Sequence, residues 1–217
     1  MDNITTISLD LWGTLVGQNP KFAEKRLDLL CEMSNKTDFE IQQTVHFIKK
    51  KYDNSAVSSE FVFDLLKTSL AIPLSIQEIM AHYYAIFGQN PPFLLEKDIN
   101  AVLKQARKKC TLHLISNTLM IKGRVLVETL NNAYDGIFDN FEALTFSDEV
   151  GVAKPDAAIF AIAYNFMNQV PKSTVLHIGD NIRTDIGGAT NFGFQAALVD
   201  YDKNRNVRAV LTSYEVI

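Results

Sequence analysis

Six side chains able to do chemistry stand where the character of the sequence changes. Asp10 closes the β-prone run Ile4-Thr5-Thr6-Ile7-Ser8-Leu9, and Trp12-Gly13-Thr14 breaks the run beyond it. Ser116 and Asn117 close Thr111-Leu112-His113-Leu114-Ile115. Lys154 precedes Pro155. Asp180 closes Val175-Leu176-His177-Ile178-Gly179, and Asp185 follows shortly after. Carboxylates gathered on one edge repel one another unless a cation offsets them. Lys154 is one candidate, and a hard divalent ion with oxygen ligands, Mg²⁺, is another. Ser116 and the amides of Asn117 and Thr118 are expected where a helix begins, a favourable place for an anion. A carboxylate nucleophile, a metal, a hydroxyl, a lysine and an anion hole together fit attack on a phosphorylated substrate.

The elements that would place these residues alternate along most of the chain. The apolar runs ending at Asp10, at Ser116, at Phe146, at Gly179 and at Val199 read as strands. Helical spacing of apolar residues fills 96–108, 121–131, 156–166 and 185–192 between them. Strands alternating with helices imply right-handed crossovers and a parallel sheet covered on both faces. Such sheets place their sites at the carboxyl ends of the strands. Residues 16–92 differ: Phe22 to Met33, Phe39 to Tyr52, Glu60 to Ser69 and Ile76 to Phe87 have helical periodicity, no strand is evident, and Pro91-Pro92 closes the block.

Composition narrows the partners. The chain has 217 residues, of which 47% are hydrophobic, so a sizeable core can form. Net charge is -4 with no long run of one sign, which argues against a nucleic-acid platform. Cys31 and Cys110 belong to no CxxC pair, so no zinc site is expected, and isolated cysteines suit a reducing compartment. No basic-then-apolar leader is evident and apolar runs such as Ala157 to Ala163 are too short for a bilayer, so a cytoplasmic protein without membrane partners is expected. Oligomeric state is not legible.

Four segments, in order, resemble the motifs of the haloacid dehalogenase superfamily: Asp10-Leu11-Trp12-Gly13-Thr14-Leu15, Leu114-Ile115-Ser116-Asn117, Val150-Gly151-Val152-Ala153-Lys154-Pro155-Asp156, and Ile178-Gly179-Asp180 with Asp185. Each is weak alone; four in order at strand ends are specific. The resemblance implies an α/β fold, a Rossmann-like core over 1–15 and 93–217 with an all-helical cap over 16–92. It implies a hydrolase in which Asp10 forms a covalent intermediate. Thr14, Ser116, Asn117 and Lys154 would hold the transferring group. Asp10, the Trp12 carbonyl and Asp180 would bind Mg²⁺, and Asp185 would support the metal directly or through water.

One position departs from the pattern. Phosphatases of this family carry a second Asp two residues after the nucleophile, which protonates the leaving group and then activates water; here the position is Trp12. An indole does not titrate near neutrality. Family dehalogenases also have an aromatic residue there, because halide leaves without a proton, but they use no metal and lack the Gly-Asp pair that this chain keeps as Gly179-Asp180. The leading expectation is a Mg²⁺-dependent phosphate hydrolase acting on a phosphorylated small molecule, slow or favouring good leaving groups. A substitute acid from the cap is open, with His46, His82 or a cap carboxylate undistinguished. A 2-haloacid dehalogenase and a non-catalytic phosphoryl-binding module are the alternatives. A Schiff-base lysine among Lys49 to Lys51 is a minor one. His113 and His177 read as satisfied core histidines, and Phe61, Phe63, Tyr83 and Tyr84 as packing of the helical block.

Overall fold

The structure is a computed structural model that describes residues 3–217. The chain begins with β1 (Thr6–Leu9) and a short β2 (Val16–Gly17). Four helices follow: α1 (Pro20–Ser34), α2 (Asp38–Tyr52), α3 (Ser59–Leu70) and α4 (Ile76–Gln89). Then come β3 (Phe93–Leu94), α5 (Ile99–Ala106), β4 (Thr111–Ser116), α6 (Gly123–Ala133), β5 (Ala143–Phe146), α7 (Ser147–Val150) and α8 (Ala157–Asn165). The last part holds β6 (Val175–Gly179), a π-helical turn (Ile182–Gly187), α9 (Gly188–Phe192), β7 (Gln195–Leu198) and α10 (Val207–Ser213).

The main sheet has five strands in the order β5-β4-β1-β6-β7, all parallel. β1 and β6 are buried along their whole length, polar Thr6, Ser8 and His177 included, as expected of parallel strands covered on both faces. The order reverses at β1, whose neighbours are β4 and β6. That reversal opens a crevice beyond its carboxyl end. Register aligns Leu9 with Leu114 on one side and with Ile178 on the other. The residues just past these positions, Asp10, Ser116 and Asp180, therefore emerge on one edge.

The four helices of residues 20–89 pack in a ring, α1 against α2 and α4, and α3 against α2 and α4. Their sequence explains their ends. Asn19, Thr37, Ser58 and Ser75 cap the four N-termini, and Thr37–Glu40 and Ser75–Glu78 form reciprocal capping boxes. Tyr83 sits at the centre, edge-on to Phe22 at 5.5 Å and to Phe63 at 5.1 Å. The block rests on the loop after β4, where Ser59 Oγ donates to the Leu119 carbonyl at 2.8 Å and Tyr83 Oη donates to Met120 Sδ at 3.3 Å. No helix of the described residues is long and apolar enough to cross a membrane.

Four features differ from expectation. β2 and β3 pair antiparallel, Val16 with Leu94 and Gly17 with Phe93, where the chain leaves and re-enters the sheet; two-residue strands have no readable alternation. The helix expected over 121–131 begins at Gly123, whose amide donates to the Asp148 carboxylate, so Ser116 and the amides of Asn117 and Thr118 do not stand at a helix start. The helix expected from Asp185 begins at Ile182 as a π turn capped by Asn181, and α10 was not expected.

Candidate functional site

Asp10 follows the central strand, and its amide donates to the Ile178 carbonyl at 2.9 Å, fixing the chain between β1 and β6. At Gly13 the backbone turns with φ +73°, and any Cβ there would strike the Asp180 carboxylate. At Gly179 a Cβ would strike the Asp185 carboxylate. These two glycines make the space in which acidic side chains from the β1 and β6 ends approach each other. Asp10, Asp180 and Asp185 offer oxygens that lie within 4.8 Å of one another.

Lys154 is buried among them. Its Nζ donates to Asp10 Oδ1 and to Asp185 Oδ1, each at 2.6 Å. Its main chain is gripped by one carboxamide: Asn117 Oδ1 accepts from the Lys154 amide at 2.8 Å and Asn117 Nδ2 donates to the Lys154 carbonyl at 3.0 Å. The other Asp185 oxygen accepts from the Asn181 amide at 2.9 Å. His177 completes the arrangement below, Nδ1 at 2.8 Å from Ser8 Oγ and Nε2 at 3.4 Å from Asp185 Oδ1. Both expected core histidines are buried, but His177 also touches the site.

The charges do not balance. One ammonium faces three carboxylates. Burial works against the charge on Lys154, yet Asp10 and Asp185 outweigh it and raise its pKa, so it stays protonated. Burial alone would raise Asp185 too, but Lys154 and then His177 hold it far below the usual carboxylate range. Asp10 is left with the deficit: burial raises it from 3.8 to about 7, helped by the Asp185 charge and opposed by Lys154. Burial, then Asp185, also raises Asp180. Burial keeps His177 below its usual range and therefore neutral.

One polar cavity is lined by Asp10, Trp12, Asn117, Lys154, Asp180 and Asp185, six of the eight residues singled out from sequence. The other two, Ser116 and Thr14, are fully buried beside it. The Ser116 hydroxyl faces the Asn117 carbonyl at 3.4 Å, and Thr14 Oγ1 has no partner among the described residues. The Thr118 amide, expected in an anion hole, is taken by Ser147 Oγ at 2.8 Å. Sequence reasoning passed over Asp53 and Asn54, which line the same cavity from the turn after α2. Asn54 Oδ1 accepts from Asn117 Nδ2 at 3.4 Å, docking that turn on the core. In the sequence they only end a basic helix, and nothing there marks them.

The haloacid dehalogenase-like hydrolase family matches the chain over residues 4–193. The pyrimidine 5'-nucleotidase YjjG of Escherichia coli is 43% identical over 58 residues, 27% of this chain and 26% of that protein. The phosphoserine phosphatase of Thermus thermophilus is 31% identical over 117 residues, 54% of this chain and 45% of that protein. The matches thus span less than half the length of these relatives. YfnB of Bacillus subtilis, solved with magnesium bound, superposes with a TM-score of 0.74 at 15% identity, covering 99% of this chain and 100% of that one, a likeness of fold.

Proposed function

Because this chain belongs to the haloacid dehalogenase-like hydrolase family, we propose that it hydrolyses a phosphorylated small molecule through a phosphoryl group carried on Asp10. The observation that carries the reading is the buried pairing of Asp10 with Lys154 at 2.6 Å beside an acidic residue pair, Asp180 and Asp185. A cation-assisted phosphoryl site needs a nucleophilic carboxylate, positive charge around the transferring group, and oxygen ligands for a metal. The named relatives include phosphatases of small metabolites, in keeping with this substrate class.

The donor set suits Mg²⁺. All the acidic ligands are hard oxygens, and one lysine faces three carboxylates, which leaves the cluster short of positive charge. Asp10, Asp180 and the Trp12 carbonyl would hold the ion, with Asp185 supporting from behind because both its oxygens are already engaged. Bound there, Mg²⁺ would offset charge on the phosphoryl oxygens and permit Asp10 to ionise. Asp10 attacks phosphorus. Lys154 offsets the negative charge that builds on the transferring group, from a position fixed by Asn117 and Asp185. Asn117 lines the phosphoryl pocket, while Ser116 and Thr14, fully buried at the strand ends, do not line it. In this reading residues 16–92 are the cap over a core of 1–15 and 93–217.

Trp12 favours a second reading. A halide leaves without a proton, so an aspartyl ester formed at Asp10 from a 2-haloacid would need no acid at position 12.

The deciding experiment measures turnover of an aryl phosphate and of acetyl phosphate, with Mg²⁺ and with chelator, for the native chain and Asp10→Asn. Mg²⁺-dependent turnover lost in Asp10→Asn is the expected result. No phosphate release under any condition, with halide release from 2-chloropropionate, would replace the phosphatase by the dehalogenase.

A further inference from the structure

A phosphatase acting on an alkyl ester must give the departing oxygen a proton, and Trp12 has none to give near neutrality. Two cavities meet beside Trp12. The first is the polar cavity of Asp10, Lys154 and Asp180. The second is a chamber of about 210 Å³ between the helical block and the core, walled mainly by Phe22, Tyr83, Phe87, Leu119 and Met120. Trp12, Asp53 and Asn117 line both. A substrate whose phosphorus meets Asp10 in the first cavity extends its leaving group into the second. The bond that breaks then lies at their junction.

Of the three junction residues, only Asp53 can exchange a proton at ordinary pH; an indole and a carboxamide cannot. Its backbone is held by two contacts. Its amide donates to the Lys49 carbonyl at 2.9 Å as the C-cap of α2, and the next residue, Asn54, is hydrogen-bonded to Asn117 of the core. Asp53 is an exposed residue at the cavity wall, and its carboxyl makes no hydrogen bond or ion pair among the described residues. Desolvation at the cavity wall raises it, against Lys49, which lowers it. The negative end of α2 works in the same direction as desolvation. The other charges around it are Arg26 from α1, lining the chamber, and Asp10, Lys154, Asp180 and Asp185 across the polar cavity. His46 and His82 line neither cavity.

We propose that Asp53, carried by the helical block, is the general acid and base of the reaction. The assignment rests on the phosphohydrolase reading. As an Asp10 oxygen bonds to phosphorus and the bond from phosphorus to the leaving oxygen breaks, the Asp53 carboxyl gives its proton to that oxygen, which departs as an alcohol. In the second half, the Asp53 carboxylate takes a proton from water while the water oxygen bonds to phosphorus and the bond from phosphorus to Asp10 breaks. Inorganic phosphate leaves, Asp10 is a carboxylate again, and Asp53 carries its proton.

The test compares native, Asp53→Asn and Asp53→Glu chains, with Mg²⁺, on p-nitrophenyl phosphate and on an alkyl monoester such as glycerol phosphate. Nitrophenolate leaves unaided; an alkoxide does not. Expected is an alkyl rate about 10²–10⁴-fold lower in Asp53→Asn. The pre-steady-state burst of nitrophenolate should fall by less than about tenfold. Asp53→Glu should recover part of the alkyl rate. The basic limb of the native kcat/KM profile on the alkyl ester should be absent in Asp53→Asn. Equal losses on both esters, an unchanged alkyl rate, or native activity confined to the nitrophenyl ester would each overturn the role of Asp53 while leaving the phosphohydrolase intact. A native chain that releases no nitrophenolate at all would overturn the phosphohydrolase reading and this assignment with it.

Discussion

Lys154 and Asp185 meet at 2.6 Å with 2% and 1% of their side chains exposed. Asp185 turns its second oxygen to the Asn181 amide and also faces His177. It is therefore an anchor that holds the ammonium within 2.6 Å of Asp10, and only secondarily a candidate metal ligand. Removing one partner of a buried ion pair leaves uncompensated charge and unpaired donors. Asp185→Ala is expected to lower unfolding free energy by about 3–5 kcal/mol in urea titration. A loss below about 1 kcal/mol would mean that Asp10 alone secures the lysine.

Asp10 makes stability depend on pH in a direction opposite to most acidic residues. Its carboxyl is raised by burial from 3.8 to about 7. Between those values the folded chain keeps a proton that the unfolded chain has released, so stability falls as pH rises through the window and levels off above it. Asp185 is shifted the other way, and its contribution is lost progressively as pH falls below the ordinary carboxylate value, beneath this window. With chelator present, the urea midpoint of the native chain is expected to drop relative to Asp10→Asn between about pH 4.5 and 7.5. Asp180, also raised, is common to both chains and cancels in the comparison. Parallel midpoints across that range would place the charge deficit elsewhere.

Much of this site was legible because parallel strands advertise themselves twice. Runs such as Leu112-His113-Leu114-Ile115 are mostly apolar, being covered on both faces, and a polar residue ending each run falls on one sheet edge. Gly179 before Asp180 was legible as a motif, and the structure supplies its reason: space for the Asp185 carboxylate. What stayed hidden depends on packing between segments far apart in sequence. The Asn117 amide holding both polar groups of the Lys154 backbone has no signature in either segment. Asp53 reaches the site only because α2 ends there, in a block whose apolar spacing specifies helices but not their arrangement. Ser116 does not stand at a helix start for a local reason: residues between it and α6 make contacts with Ser147 and with the helical block before α6 starts.

Mg²⁺ is expected to protect the native chain against heat. A ligand that binds only the folded state at a hundred times its Kd adds about 2.7 kcal/mol. Asp180→Asn should abolish that shift with little cost to the metal-free fold, because the Asp180 carboxyl is raised and makes no ion pair among the described residues. Differential scanning fluorimetry with Mg²⁺ and with chelator reads both. An undiminished shift in Asp180→Asn would remove this residue from the metal site.

Trp12 and Asp53 line the same junction, one from the loop after β1 and one from the end of α2. If Asp53 handles the proton, a carboxyl at position 12 adds little while Asp53 is present and much when it is absent. Trp12→Asp alone is therefore expected to change alkyl monoester turnover by less than about tenfold, whereas in an Asp53→Asn background it should restore at least tenfold of the about 10²–10⁴ lost. Trp12 is partly buried against the core, so each variant must first show an intact cooperative transition. Effects that multiply independently would mean the two positions do not share a task, since groups serving one step are strongly non-additive. A large gain from Trp12→Asp in the native background would show the junction lacking an acid altogether. The native enzyme would then be suited to substrates whose leaving group departs without a proton.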